Sequence, residues 1–510
     1  MKREQQFIIQ DVNSTNASSL SHTSCNFTLQ RRLSTATNTK YDMYLIKLTT
    51  MLSSFGDVED RKKNMHLCHQ RLLEQEKLTR FEDLPLGSFV IFVSHQWNSF
   101  AHPDPNGRQL EVLCKIMRDL RDGVYTNVST DPYHVLLYNT KTTTHKSEWH
   151  TLVSNAYIWY DFWCQPQPSM EKDETKKRLL AKELDLAIQS VASYVERSDT
   201  LVILVPPTVH EDRFDPATCR KQFTCYRTWR RRGLCLLEMF ACFFSRRKTH
   251  PMLLVRSEKR MPVWISSHES LKLAVGEAEF TCCERNHKGS SMSCVRPVAY
   301  NVMETLIHAK IKSLLNQDIV QGRWILVLKH FWTRGLVKKS PTSQTSVDED
   351  SRVLHFKKIL HWDPKLDGEW VDREIVSLLS YAACMDSIED VRAVLKSSKR
   401  KLSEKQFVEF INVRLRKTGF LYVGIPGFCT AVIAAMVLGT PKTVETLLEN
   451  GVDPHITDKN GNNPLMCACV YGRLENVKFW LDRFDDWELN LRGKFGNTAL
   501  GNAIYMGKYA

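Results

Sequence analysis

Toward its carboxy end the chain repeats itself, and the interval of that repeat limits the fold there more than any other feature. Gly427, Gly461 and Gly496 open successive stretches, Gly439, Gly472 and Gly507 sit inside them, and the spacing is 33 to 35 residues. A period of this length marks one supersecondary unit that cannot bury its apolar face alone and must stack on its neighbours. In each unit a small residue (Ala434, Ala468 or Ala503) stands on the first helix where two helices must approach, and a glycine ends that helix. The second helix carries an apolar stripe: Val444, Leu447 and Leu448 in one copy, Val477, Trp480 and Leu481 in the next. A weaker copy precedes them in "LLSYAACMDSIEDVRAVLKSS", residues 378–398.

The period, the glycines and the alanines together are similar to the ankyrin repeat. That resemblance implies an all-α solenoid over residues 370–510, degenerate in its first copy and incomplete in its last, whose concave face binds a protein partner. The chain stops at Ala510 inside the first helix of a unit. A solenoid needs a polar terminal cap, so a missing carboxy-terminal portion is expected.

Upstream, a different pattern rules. "GSFVIFVSHQW", "AYIWYDFW", "DTLVILVPP" and "PMLLVRS" are short apolar runs, with "AEFTCC" a candidate fifth, and amphipathic helical stretches such as "GRQLEVLCKIMRDLRDG" and "ETKKRLLAKELDLAIQSVASYVERS" separate them. Strands that are apolar on both faces and alternate with helices predict an α/β doubly wound parallel sheet, here over residues 85–285. Around it we expect a disordered Ser/Thr/Asn-rich lead-in (1–40) and a helical segment (41–84). A helical appendage packed on the sheet domain (286–337) and a polar linker (338–355) follow.

Ligands of open α/β sheets bind at the carboxyl ends of the strands. "SHQW" (94–97), "DFWCQPQ" (161–167) and the basic stretch leading into "RRRGLCLLEMFACFF" (230–244) fall there, and the last places one acid, Glu238, in an otherwise apolar helix. "FVS" at the end of the first strand, "WYD" at the end of the second, and Cys235 to Glu238 in a C-x-x-E arrangement together resemble the Toll/interleukin-1 receptor (TIR) domain family. Leu234, Met239 and Gln96 depart from the usual tryptophan, leucine and arginine of that family. The resemblance implies a signalling effector in which the Glu238 carboxylate stabilises the positive charge that develops as the nicotinamide–ribose bond of NAD is cleaved, NAD being a substrate rather than a resident cofactor. It assigns Trp97 to stack on a ring of NAD, Asp161 to orient a ribose hydroxyl, and Arg227, Arg230 and Arg231 to offset the diphosphate. It equally implies a non-catalytic adaptor that self-associates, with "DFWCQPQPS" as the contact surface. From the residues alone Glu238 also reads as a helix charge with an arginine partner, and the arginines as a solvated face. A plain ankyrin scaffold is the third reading.

The net charge of +13 attracts phosphates or acidic surfaces, but no nucleic-acid-binding motif accompanies it, so nucleic acid is not expected as the partner. No apolar stretch reaches the length that spans a bilayer and the amino terminus lacks an apolar signal core, so a cytoplasmic location is expected. The 15 cysteines, odd in number and scattered, fit free thiols in a reducing compartment. Cys282, Cys283, His287 and Cys294 offer metal-ligand types, yet adjacent cysteines are poor tetrahedral partners and no C-x-x-C pair is present, so no metal site is expected.

Overall fold

The computed structural model describes residues 35, 37–138, 141–214, 219–245, 252–285, 294–315, 318–336, 348–365, 367–372, 376–414 and 430–505. The chain divides into two compact units, Met1–Ser267 with Thr281–Cys294, and His268–Phe280 with Val295–Ala510.

The first unit is built on a seven-stranded sheet of order β11-β10-β7-β3-β6-β1-β2. Its strands are β1 (Tyr44–Lys47), β2 (Leu78–Arg80), β3 (Phe89–His95), β6 (Ala156–Tyr160), β7 (Thr200–Leu204), β10 (Met252–Val255) and β11 (Val263–Ile265). Two smaller antiparallel pairs stand apart, β4 (Asn127–Ser129) with β5 (Thr143–His145), and β8 (Thr208–Phe214) with β9 (Lys221–Thr224). The four central strands run parallel, and both faces of that centre are covered, which is why Ile91, Phe92, Val93, Ile158, Trp159, Val202 and Ile203 are all buried. The edges are antiparallel: β11 on β10, β1 on β6, and β2 on β1. The sheet is therefore mixed rather than wholly parallel.

Two edge features correct the sequence expectation. Residues 44–47 form a strand instead of opening the helical segment, because so short a run, Tyr44-Leu45-Ile46-Lys47, fits a helical turn or a strand equally well until the open edge of β6 supplies partners. "AEFTCC" forms no strand; Thr281–Glu284 is a helical turn, and β11 pairs with β10 in its place. Of the expected lead-in, residues 1–34 and 36 lie outside the described residues. Lys40 is fixed, its amide donating to Ser190 Oγ at 2.8 Å on the Glu174–Arg197 helix.

After β3 the chain winds to β6 on one side, then crosses back to β7 on the other. Winding reverses beside β3, and a crevice opens at the carboxyl ends of β3 and β7. The Gly233–Phe244 helix packs on the Glu174–Arg197 helix and brings its apolar side, including Leu237, Phe240 and Ala241, onto the core.

In the second unit the Val295–Leu315 and Ile319–Trp332 helices pack on each other and group with the repeats, not with the sheet as expected. A buried ion-pair cluster joins the second of these helices to the first repeat. Arg323 pairs with Asp367 and, at 3.4 Å, with Asp372, all three side chains fully buried, while Tyr381 of the first repeat donates to Asp372 at 2.8 Å. Of the linker expected over 338–355, residues up to 347 lie outside the described residues and Glu349–Ile359 is a helix. Asp348 caps its first turn, lysines occupy its last, and Val353 and Phe356 are buried; the polar composition that read as linker is helix capping and a solvent face.

The repeats follow as helix pairs: Leu378–Cys384 with Ile388–Lys401, Ala431–Leu438 with Pro441–Glu449, Pro464–Tyr471 with Leu474–Arg483, and then Ala499–Tyr505. Ala434, Ala468, Val444, Leu447 and Trp480 are buried as the period requires, whereas Ala503, Leu448 and Val477 are half-buried and Leu481 is exposed. Gly472 ends its helix in the left-handed region at φ +63°, and Gly461 and Gly496 hold the same region at the turns between pairs. Gly427 and Gly507 lie outside the described residues. Asn476 closes one pair on the next, its Nδ2 within 3.2, 2.9 and 3.1 Å of the Ala435, Met436 and Gly439 carbonyls at the preceding helix end.

Candidate functional site

β3 ends at the winding reversal with Ser94 and His95, and each side chain is taken up by a different acid. Ser94 Oγ donates to Glu238 Oε2 and accepts from Trp229 Nε1 at 3.0 Å. Glu238 is presented from the Gly233–Phe244 helix, where every flanking position is apolar, so water is scarce around a carboxyl that keeps only part of its surface accessible. Burial pushes its pKa up to about 8; the Ser94 bond opposes the rise and the charge of Asp161 adds to it. At neutral pH Glu238 is thus mainly protonated, and a cation brought beside it would draw the proton off.

Asp161, first residue after β6, holds the other half. Its Oδ1 lies 2.8 Å from His95 Nε2 and accepts from the Phe162 amide at 2.6 Å, and its Oδ2 accepts from Trp97 Nε1 at 2.6 Å. Burial alone would raise this carboxyl, but the His95 ring and these donors outweigh it and hold the pKa below the ordinary carboxylate value. His95 stacks on Tyr160 with ring centroids 4.2 Å apart. Gln109 donates through Nε2 to the Gln96 carbonyl at 2.8 Å, which turns its Oε1 to His95 Nδ1 at 3.1 Å. Both imidazole nitrogens are thus engaged, Nε2 by Asp161 and Nδ1 by Gln109, with the Tyr160 hydroxyl 3.5 Å from Nδ1.

A small recess of about 10 Å³ is lined by Gln96, Gln109, Leu204, Val205, Pro206, Thr224 and Cys225. The Gln96 side chain is 5% exposed, and neither its amide oxygen nor its amide nitrogen has a hydrogen-bond partner among the described residues. A buried amide left with one donor end and one acceptor end is suited to a ligand edge of the same two-part kind.

The structure brings Glu238, Asp161 and Trp97 to one end of the sheet. Trp97 is half-buried, with its N–H engaged by Asp161 and its ring set edge-on to Phe162. Of the three arginines, Arg227 and Arg231 are exposed and Arg230 lies over the Tyr226 ring at 5.8 Å. The buried arginine is Arg232, tied to Glu284 at 2.8 Å and to Thr281. Sequence reasoning passed over Gln109 and Trp229 and met His95 and Gln96 only as part of "SHQW" at a strand end, without giving either a role. Of the stretch 161–169 offered by the sequence as a self-association surface, Phe162 to Pro168 are buried, Asp161 is half-buried and Ser169 is exposed.

Comparison with known proteins bears on the second unit. No curated protein matches the chain. Residues 431–510 match the family model described as ankyrin repeats (3 copies), and the match does not extend to the sheet domain. No helix among the described residues is long and apolar enough to cross a membrane. The carboxy-terminal region is thus an array of ankyrin repeats, a scaffold with a protein-interaction role.

Proposed function

We propose that this chain is a signalling protein in which the ankyrin repeats capture a protein partner and the α/β domain is the effector, cleaving NAD to nicotinamide and ADP-ribose at Glu238. The observation that carries the reading is the position of Glu238: a carboxyl at the winding reversal of an α/β sheet, drawn up to about 8 and linked to the end of β3 through Ser94. Nicotinamide leaves from a cationic precursor, so no proton need be delivered. The ionised carboxylate stabilises positive charge developing on the ribose, and the pyridinium of bound NAD favours that ionised form. Asp161, kept charged by His95 and Trp97, is available to a ribose hydroxyl, and the unpartnered Gln96 amide supports recognition of a carboxamide or adenine edge.

The test is nicotinamide release by the full chain with NAD under crowding, wild type against Glu238→Ala, both checked for equal folding. Release by wild type alone supports the reading, and release by neither or by both refutes it. One observation favours a second reading, a non-catalytic domain: the recess has a cavity volume of about 10 Å³, room for about one water and far below the roughly 300–1,000 Å³ usual for small-molecule sites. On that reading the domain self-associates through a surface other than the buried 162–168 stretch, and oligomers form that Glu238→Ala leaves intact.

A further inference from the structure

The folded chain brings Cys282, Cys283 and Cys294 together, each half-buried, with all three sulfurs within 4.8 Å of one another. Cys283 Sγ lies 3.9 Å from Cys282 Sγ and 3.7 Å from Cys294 Sγ. These separations are far beyond the about 2.05 Å of a disulfide. They do match the edge of a tetrahedron of thiolates around zinc, about 3.8 Å for Zn–S bonds of about 2.3 Å. Among the described residues this is the one group of three or more His, Cys, Asp or Glu side chains whose ligand atoms converge in this way. The buried cysteines elsewhere, such as Cys114, Cys164 and Cys384, fill apolar packing instead.

We propose that these three cysteines bind one zinc-class cation as three corners of a tetrahedron, with the fourth corner open to solvent or an added ligand. Three sulfur donors select a thiophilic ion over magnesium or calcium. Adjacent cysteines in an extended segment point apart. Here Cys282 and Cys283 lie in the helical turn Thr281–Glu284, where both sulfurs reach the same side as Cys294. The cation would fix a turn that already anchors two arginines: Glu284 pairs with Arg232 and Arg213, and Arg232 stands at the amino end of the helix bearing Glu238. The site thereby stiffens the approach to that helix without touching the acid.

The experiment uses the full reduced chain, stripped with chelator and titrated with Co²⁺ and then Zn²⁺. We expect about one Co²⁺ per chain with thiolate-to-cobalt charge-transfer and tetrahedral ligand-field bands, displaced by zinc. The bands are lost in Cys283→Ser and kept in Cys219→Ser. Should Cys283→Ser fail to fold, alkylation of the wild-type chain gives the answer: zinc must slow modification of Cys282, Cys283 and Cys294 at least about tenfold while Cys219 reacts unchanged. Absence of tetrahedral bands, their persistence in folded Cys283→Ser, or alkylation indifferent to zinc would overturn the proposal.

Discussion

Both units bury charge, and they do so to different ends. In the second, Arg323 meets Asp367 and Asp372 with every side chain fully buried, and its remaining donors go to the Leu360 and His361 carbonyls at 2.8 Å each. That cluster is closed and encased within its own unit. In the first, Glu238 and Asp161 lie at the winding reversal, each keeps part of its surface accessible, and an unpartnered Gln96 amide faces the neighbouring recess. Burial of an ionisable group therefore does not by itself mark function. What separates the two is whether the cluster is closed on itself and where the fold places it.

That contrast can be broken by substitution, and the largest effect is expected at Arg323. Arg323→Ala leaves two buried carboxylates without their cation and should cost about 3–5 kcal/mol in denaturant unfolding of the second unit. An effect below about 1 kcal/mol would mean the cluster is not a structural clamp.

Next comes Glu238→Gln, read as stability against pH. The folded carboxyl holds its proton to about 8, whereas the unfolded chain releases it near the ordinary value of 4.5. Between those values the folded state binds more protons, so wild-type stability should fall as pH rises through that window, by roughly a few kcal/mol, and level off above it. Glu238→Gln should abolish that fall. Parallel curves for the two proteins would place Glu238 in water-like surroundings.

Asn476→Ala removes the side chain that joins one repeat to the carbonyls of the preceding helix end, and we expect about 1–3 kcal/mol of lost stability with the sheet domain unaffected. Smallest is Ser94→Ala, about 1 kcal/mol, which takes away the donor holding Glu238 down and so should move the pH midpoint of the Glu238 transition upward. A downward move would show that Ser94 does not oppose the rise.

The repeats were more legible in the sequence than the site. Gly461, Gly472 and Gly496 each answer a local backbone need, and Ala434 and Ala468 a close approach between neighbouring helices, so a one-dimensional pattern records them. The central strands were legible for the same reason, as apolar runs covered on both faces. The edges were not, since β1 becomes a strand through pairing with β6, more than a hundred residues away, and with β2. Arg323 and Asp372, 49 residues apart, carry no spacing signal, and the helices 295–332 were accordingly grouped with the wrong unit. At the site, Glu238 stood out because an acid interrupts an apolar helix. His95 and Gln109 did not, because their roles arise from side chains converging at a strand end.

The most direct test of the account is the pH dependence of nicotinamide release from NAD by the full chain, wild type beside Glu238→Gln. The account predicts release by the wild type that increases as pH rises toward about 8 and the carboxyl ionises, with the Gln variant about 10²- to 10³-fold lower near pH 8 and without that rise. Release that the Gln variant matches, or no release at any pH, would contradict it and leave the first unit without the chemistry proposed for it.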